Sequence, residues 1–383
     1  MEYQDFVADV QSRYGVDRVW SFSQVNSFKQ DPYGWYLHYI LHEPSDKNTG
    51  NAYGVYGNMV HDIMEEYYKG NISREECVET FQTKWDELSL LGMKFNNIDE
   101  ASDKKLKKKY YEDVLNFMET FTTIEGEHVC EKPMSVLLKS DTQKEAFVGY
   151  IDFLNHVGDK YQIIDYKTST MYKGNAVEEH AKQLLLYAAS IREETGCRCD
   201  QIEVGWNFLK YIWVKETQKN GNIKDRYIER CELGEKLSTS IKKWLKEYGY
   251  SESEADYVTA TNDMSRLPEE VRDKFKFQDC IITVPYDETI EEVFIDNMLK
   301  ECYNIREHIK EYESTNTDNM FMWEPEQRDE FYYYNLCDYS TKLHKPFANY
   351  FNAKEQPQEN DDSEWLDKAT ENGSELDILF KNL

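Results

Sequence analysis

The 383-residue chain is 40% hydrophobic and 14% aromatic, with 29 tyrosines and 8 tryptophans, which argues against a disordered protein and allows one large domain or two ordinary ones. A net charge of −28 speaks against a uniformly basic nucleic-acid surface, yet suits a protein that gathers acids around divalent cations. No stretch approaches the roughly 20 apolar residues of a membrane span. The opening "MEYQDFVADVQSRYG" lacks the apolar core of a secretory leader. The eight cysteines are scattered, and only Cys197 and Cys199 are close neighbours. The expectation is a cytoplasmic protein with reduced thiols and no membrane contact.

In chain order, "WSFSQVNSFKQDPYGWYLHYI" (Trp20–Ile40) predicts a helix capped by Ser23 ahead of Val25 and Phe28, and ended or restarted by Pro32. "YGVYGNMVHDIMEEYYKG" (Tyr53–Gly70) predicts a glycine-opened loop, then a helix from about Asn58 to Lys69. A lysine-rich, mostly helical stretch follows from about Ser73 to Thr123, read as an insertion at about 70–125. Its cluster "KKLKKKYY" and the later "KKWLKEYGY" read as solvated helix faces. "HVCEKPMSVLLKS" predicts a strand. "FVGYIDFLNHVGDKYQIIDYKTST" (Phe147–Thr170) predicts a hairpin turned at Gly158 and Asp159.

"NAVEEHAKQLLLYAASIREETG" (Asn175–Gly196) carries Ala181, Leu184, Leu185 and Ala188 at helical spacing. "QIEVGWNFLKYIWVKET" (Gln201–Thr217) predicts a strand with a hairpin partner after "KNGN", and Thr289–Glu313 a helix. From about Asn352 the composition turns polar and acidic. The predicted class is α/β, a mixed sheet flanked by helices, as one domain over residues 1–351 with a flexible acidic tail over 352–383.

The hairpin poses a chemical question. Side chains alternate along a strand, so Asp165 and Lys167 share a face with Ile163, while Tyr166 points the other way with Gln162 and Ile164. The turn brings Asp152 toward Asp165. Two adjacent carboxylates raise each other's pKa unless a cation sits between them. Lys167 is one such cation, and a hard divalent metal fits better. On the first long helix Gly57, His61 and Glu65 are four apart and share a face, as do Gln183 and Tyr187 on the later one. Taken singly, each has an ordinary reading: a solvated strand end, a hydrogen-bonded histidine, a polar seam beside a leucine core.

Together, in this order, they resemble the PD-(D/E)XK nuclease superfamily: Gly57-x3-His61-x3-Glu65, "GYIDF" with Asp152, "IIDYKT" with Asp165 and Lys167, then Gln183-x3-Tyr187. More narrowly they resemble its RecB-like branch, which includes the Cas4 and AddB nuclease domains. "SFSQVNSFKQDPYGWYL" resembles that branch's N-terminal motif, in which a serine-started helix leads to a Cys-Pro pair. The resemblance implies a restriction-endonuclease-like core. His61, Asp152, Asp165 and the Tyr166 carbonyl would ligate Mg²⁺ or Mn²⁺. Lys167 would orient the attacking water or stabilise transition-state charge, with Gln183 and Tyr187 positioning the strand or bracing the site. Glu65 would orient the His61 imidazole, and Glu131 would have either an outer or structural role or, equally, a functional one.

Many relatives in that branch hold an iron–sulfur cluster with four cysteines. Here Asp31 takes the first place, Tyr334 and Leu343 fall where further cysteines belong, and only Cys337 matches. The expectation is no cluster, with apolar and aromatic packing joining the two ends and Cys337 a small buried hydrophobe.

The function implied is a DNA exonuclease acting on linear duplex or single-stranded ends in replication, recombination or repair, leaving 5′-phosphate. There is no Walker A motif, so a helicase, a recombinase or a single-strand binding protein is an expected partner. The terminal "SELDILFKNL" reads either as a docking segment for a partner such as a sliding clamp or as a terminal helix folding back onto the body. The alternatives are a non-catalytic acidic adaptor or DNA mimic on a degenerate nuclease fold, and an RNA nuclease.

Overall fold

The protein is described from a computed structural model over residues 3–47 and 51–355. Helix α1 (Tyr3–Tyr14) leads into the short strand β1 (Val19–Trp20), then α2 (Phe22–Gln30), α3 (Pro32–Tyr39), α4 (Ala52–Tyr68), α5 (Arg74–Leu90) and α6 (Glu100–Thr120). The strands β2 (Glu127–Lys139), β3 (Lys144–Val157) and β4 (Lys160–Lys167) follow, then α7 (Asn175–Thr195), β5 (Ile202–Thr217) and β6 (Ile223–Glu229). Helices α8 (Leu233–Glu247), α9 (Ser253–Thr261) and α10 (Glu269–Arg272) precede β7 (Phe275–Val284). The long α11 (Glu288–Thr315), α12 (Asp329–Asn335) and α13 (Lys345–Glu355) complete the described chain.

The seven strands form one mixed sheet in the order β1-β3-β4-β5-β6, with β2 against β3 and β7 against β5. β3 and β4 are antiparallel, and the register closes at Val157 opposite Lys160, so the Gly158–Asp159 turn is the one expected. Gly158 supplies the positive φ, +66°, that a two-residue hairpin needs. β4 and β5 are parallel, which requires the crossover that α7 provides. Helices cover both faces. One core packs Trp20, Trp35, Leu184, Leu185, Phe208 and Phe294 beneath α2, α3, α7 and α11. The other packs Tyr56, Phe81, Trp85, Phe95 and Tyr110 between the sheet and α4, α5 and α6. Each such fully buried side chain contributes about 1.5–3 kcal/mol. This is the α/β architecture expected, and Ile163 and Ile164 fall in opposite cores, as strand alternation requires.

Three expectations are corrected. The cap of α2 is Ser21, not Ser23: Ser21 leaves β1 extended, with φ −111° and ψ 156°, and its hydroxyl accepts the Gln24 N–H. Helix α4 starts at Ala52, six residues before the predicted Asn58, because the Asn51 side chain caps it at the Tyr53 N–H. Gly54 and Gly57 lie inside it; burial of Ala52, Tyr56, Met59 and Val60 along one stripe outweighs the poor helix propensity of glycine. The junction between the early and late parts of the chain is not simply apolar. Rings of Tyr33, Tyr332 and Phe347 surround a buried polar centre, in which His344 Nε2 lies 2.9 Å from both oxygens of Asp31.

β7 had no reading in the sequence, and the α8–α10 group had one only for the helix face of "KKWLKEYGY" in α8; the group packs its own small core against the far end of β5. Lys109, within the lysine-rich stretch, is not free in solvent but pairs with Glu229 and Glu232. The acidic tail and "SELDILFKNL" lie outside the described residues, save that Asn352–Glu355 continue α13.

Candidate active site

The site forms where β3 and β4 part. Their last paired residues are Phe153 and Ile164, so Asp152 and Asp165 face each other one step beyond the ladder. On the other side of β3, Cys130 pairs with Phe153 and Lys132 with Ile151, which sets Glu131 opposite Asp152. Three carboxylates, Glu131, Asp152 and Asp165, thus stand in a row across three adjacent strands. Like charges directly opposite one another are unfavourable in a sheet. Their cost shows in the electrostatics. Burial, and then the Asp165 charge, raise the Asp152 carboxyl well above the ordinary aspartate range. Burial, and then Glu65, Asp62 and Asp165, raise Glu131.

Glu131 also adopts φ +48°, a left-handed backbone uncommon for a residue with a side chain. His61 completes the group. One donor atom from each of His61, Glu131 and Asp152 lies within 4.8 Å of the others. His61 Nε2 is 2.9 Å from the Tyr166 carbonyl oxygen, and Nδ1 is 3.5 Å from Asp152 Oδ2. With Nε2–H given to that carbonyl, Nδ1 turns a lone pair toward Asp152, an arrangement satisfied by a proton or a cation between them. Burial lowers the His61 pKa, which keeps the ring neutral and fit to ligate. The Tyr166 N–H donates to Asp152 Oδ2 at 3.1 Å, pinning the carboxylate.

Lys167 leans back along β4, its ammonium 2.5 Å from Asp165 Oδ2. Burial works against that charge, but Asp165, Tyr172 and Asp152 together hold the ammonium above the usual lysine range. It also donates to Gln183 Oε1 at 3.4 Å, and Gln183 Nε2 donates to the Tyr187 hydroxyl at 2.8 Å. The four-residue spacing on α7 therefore builds a chain of contacts from Tyr187 to Lys167. Gly149 lies beneath it, where a Cβ would meet Met134 Cε at 3.3 Å and the Tyr187 ring at an ordinary 3.8 Å. Gly57 likewise brings α4 against the end of β4, where its Cβ would meet Thr168 Oγ1 at 3.4 Å.

The structure brings His61, Asp152, Asp165, Tyr166, Lys167, Gln183 and Tyr187 to one place, but the donor atoms that all lie within 4.8 Å of one another belong to His61, Glu131 and Asp152, with Asp165 beside them on Lys167. Two assignments change. Glu65 does not reach the imidazole; it pairs with Lys69 at 2.6 Å, and His61 takes its contacts from Asp152 and Tyr166 instead. Glu131 moves inward from an outer role to the ring of candidate ligands. The sequence left its role open because Glu131 sits inside an unremarkable strand; its signal is the register that sets it against Asp152. Tyr172 and His180, stacked 3.8 Å apart beside Lys167, carried no signal in the sequence.

The donor set fits a hard divalent cation: carboxylate oxygens, one neutral imidazole, and a carbonyl at the same spot. A cation there would also relieve the repulsion that the three acids now carry. No curated protein matches the chain. A family model of the PD-(D/E)XK nuclease superfamily matches residues 19–278.

Proposed function

The chain belongs to the PD-(D/E)XK nuclease superfamily, and from that premise we propose that it is a Mg²⁺- or Mn²⁺-dependent deoxyribonuclease that degrades linear DNA from its ends and leaves 5′-phosphate. The observation that carries this reading is the row of Glu131, Asp152 and Asp165, closed by His61 on one side and Lys167 on the other. A row of buried acids costs stability unless something cationic uses it.

His61, Asp152 and Asp165 would hold the ion, with Glu131 beside them and the Tyr166 carbonyl once it is released from His61. A divalent ion bound there supplies Lewis-acid chemistry, polarising the scissile phosphate and acidifying a water. Lys167 keeps its proton at neutral pH, so it acts as a fixed donor: it orients the attacking water or stabilises charge as it builds on the phosphate oxygens. Gln183, held by the Tyr187 hydroxyl, limits where the ammonium can swing. Asp152 fixes the imidazole of His61 in place of Glu65.

Action at ends rests on the RecB-like order of the motifs, as does work alongside a helicase, a recombinase or a single-strand binding protein. The overall charge of −28 favours a second reading, an acidic adaptor or DNA mimic on this fold. One experiment separates them. Linear duplex, linear single-stranded and closed circular DNA are incubated with the protein in Mg²⁺, in Mn²⁺ and in chelator. Metal-dependent loss of linear substrates alone supports the exonuclease. Cut circles make it an endonuclease. Intact DNA in every condition, with RNA cleaved or nothing cleaved, overturns the deoxyribonuclease reading.

A further inference from the structure

A second cluster of metal-ligating side chains lies away from the row of acids, at the buried junction between the start of α3 and the segment from α12 to α13. Asp31, Cys337 and His344 are 2%, 4% and 0% exposed, and one donor atom from each lies within 4.8 Å of the others. Cys337 and His344 share one short segment, and Asp31 lies 313 residues from His344, so the tertiary fold brings Asp31 to them. We propose that Asp31, Cys337 and His344 form a zinc site that fastens the early helices to the end of the domain.

The donor set decides the metal. One thiol, one imidazole and one carboxylate suit Zn²⁺, whereas Mg²⁺ and Ca²⁺ seek oxygen alone. The charge closes as well: Zn²⁺ with the Asp31 carboxylate and a Cys337 thiolate sums to zero, which a buried site requires. Zinc bonds of about 2.0–2.3 Å need the donor atoms to draw inward, a shift within side-chain reach. Binding releases the Cys337 proton and moves the His344 proton from Nε2 to Nδ1, which gives up the long 3.4 Å contact that Nδ1 accepts from the Phe347 N–H.

The surroundings are already arranged to steady such ligands. The Asp31 carboxylate accepts the Gly34 N–H at 2.7 Å and the Tyr332 hydroxyl at 3.1 Å. The Tyr339 N–H points at Cys337 Sγ at 3.4 Å, the donor a thiolate favours.

The test does not depend on catalysis. The full chain, purified without added metal, is assayed for bound zinc and iron by mass spectrometry. It is then stripped with chelator and followed by thermal unfolding as Zn²⁺ is restored. In parallel Co²⁺ replaces zinc, and the ultraviolet thiolate-to-cobalt band is recorded for the wild type, Cys337→Ala and Asp152→Asn. The expected result is about one equivalent of zinc, a higher melting temperature on restoring it, and a cobalt band that survives Asp152→Asn but not Cys337→Ala. If Cys337→Ala fails to fold, the band in the wild type and in Asp152→Asn still decides. Iron in place of zinc overturns the assignment. So do the absence of retained metal and of any thiolate band, which would leave a hydrogen-bonded Asp31–His344–Tyr332 network.

Discussion

Glu131 faces Asp152 across the β2–β3 ladder, and it does so with a left-handed backbone, φ +48°. A side chain at such an angle costs on the order of 1 kcal/mol, and the cost falls where two acids meet.

Glu131→Gly separates the two costs from the function. Glycine accepts φ +48° freely and removes one carboxylate, so stability in chelator should rise by about 1 kcal/mol. The same change should weaken Mn²⁺ binding by roughly 10–100-fold, as measured by calorimetric titration. Unchanged affinity would return Glu131 to an outer role.

Lys167→Met keeps the aliphatic stem and deletes the charge. Cleavage should fall by about 100–1000-fold, the range for losing a donor aimed at developing charge. Divalent binding should persist or tighten, because Asp165 loses its competing ammonium. A variant that cleaves normally would make the pair an ordinary ion pair.

The raised pKa of Asp152 predicts a pH signature. The folded state holds that proton more tightly than the unfolded state, so the folded protein binds more protons above the ordinary aspartate value of about 3.9. Stability therefore falls as pH rises through that window and up to the folded pKa. In chelator, Asp152→Asn should melt close to the wild type at about pH 4 and progressively higher toward neutrality. Adding Mg²⁺ or Mn²⁺ should shrink that gap, since only the wild type can use the ion. A gap constant across pH would show that the acid row carries no electrostatic cost.

Gly205 tests the scaffold beneath the site. It lies in β5 between Ile164 and Thr283, and a Cβ there would come within 2.7 Å of the Ile282 carbonyl oxygen. Gly205→Ala should destabilise the fold by about 1–3 kcal/mol in denaturant titrations, because backbone, not a pliant side chain, must move.

What could be read from the sequence was local. The hairpin followed from two alternating runs around Gly158–Asp159, and α7 from the spacing of Ala181, Leu184, Leu185 and Ala188. The positions of His61, Asp165, Lys167, Gln183 and Tyr187 followed because each motif lies within one helix or strand of fixed period. The rest depended on partners far away. Glu131 becomes a candidate ligand only when β2 takes its register on β3. Glu65 meets Lys69, a neighbour on its own helix, where periodicity alone could not choose between Lys69 and His61. Asp31 finds His344 across 313 residues, a pairing with no local trace. The start of α4 was misjudged because glycines usually loosen a helix, and only the two cores reveal the stripe that holds Gly54 and Gly57 in place.

The Asp31–His344 junction also bears on how the molecule comes into being. Helices α2 and α3 are made well before the surfaces that cover them, α11 and the segment reaching His344. A growing chain must carry Trp35, Tyr36 and a solitary Asp31 without their native cover until that segment leaves the ribosome. A ribosome stalled before residue 344 should present these helices to protease, and one stalled well beyond it should not.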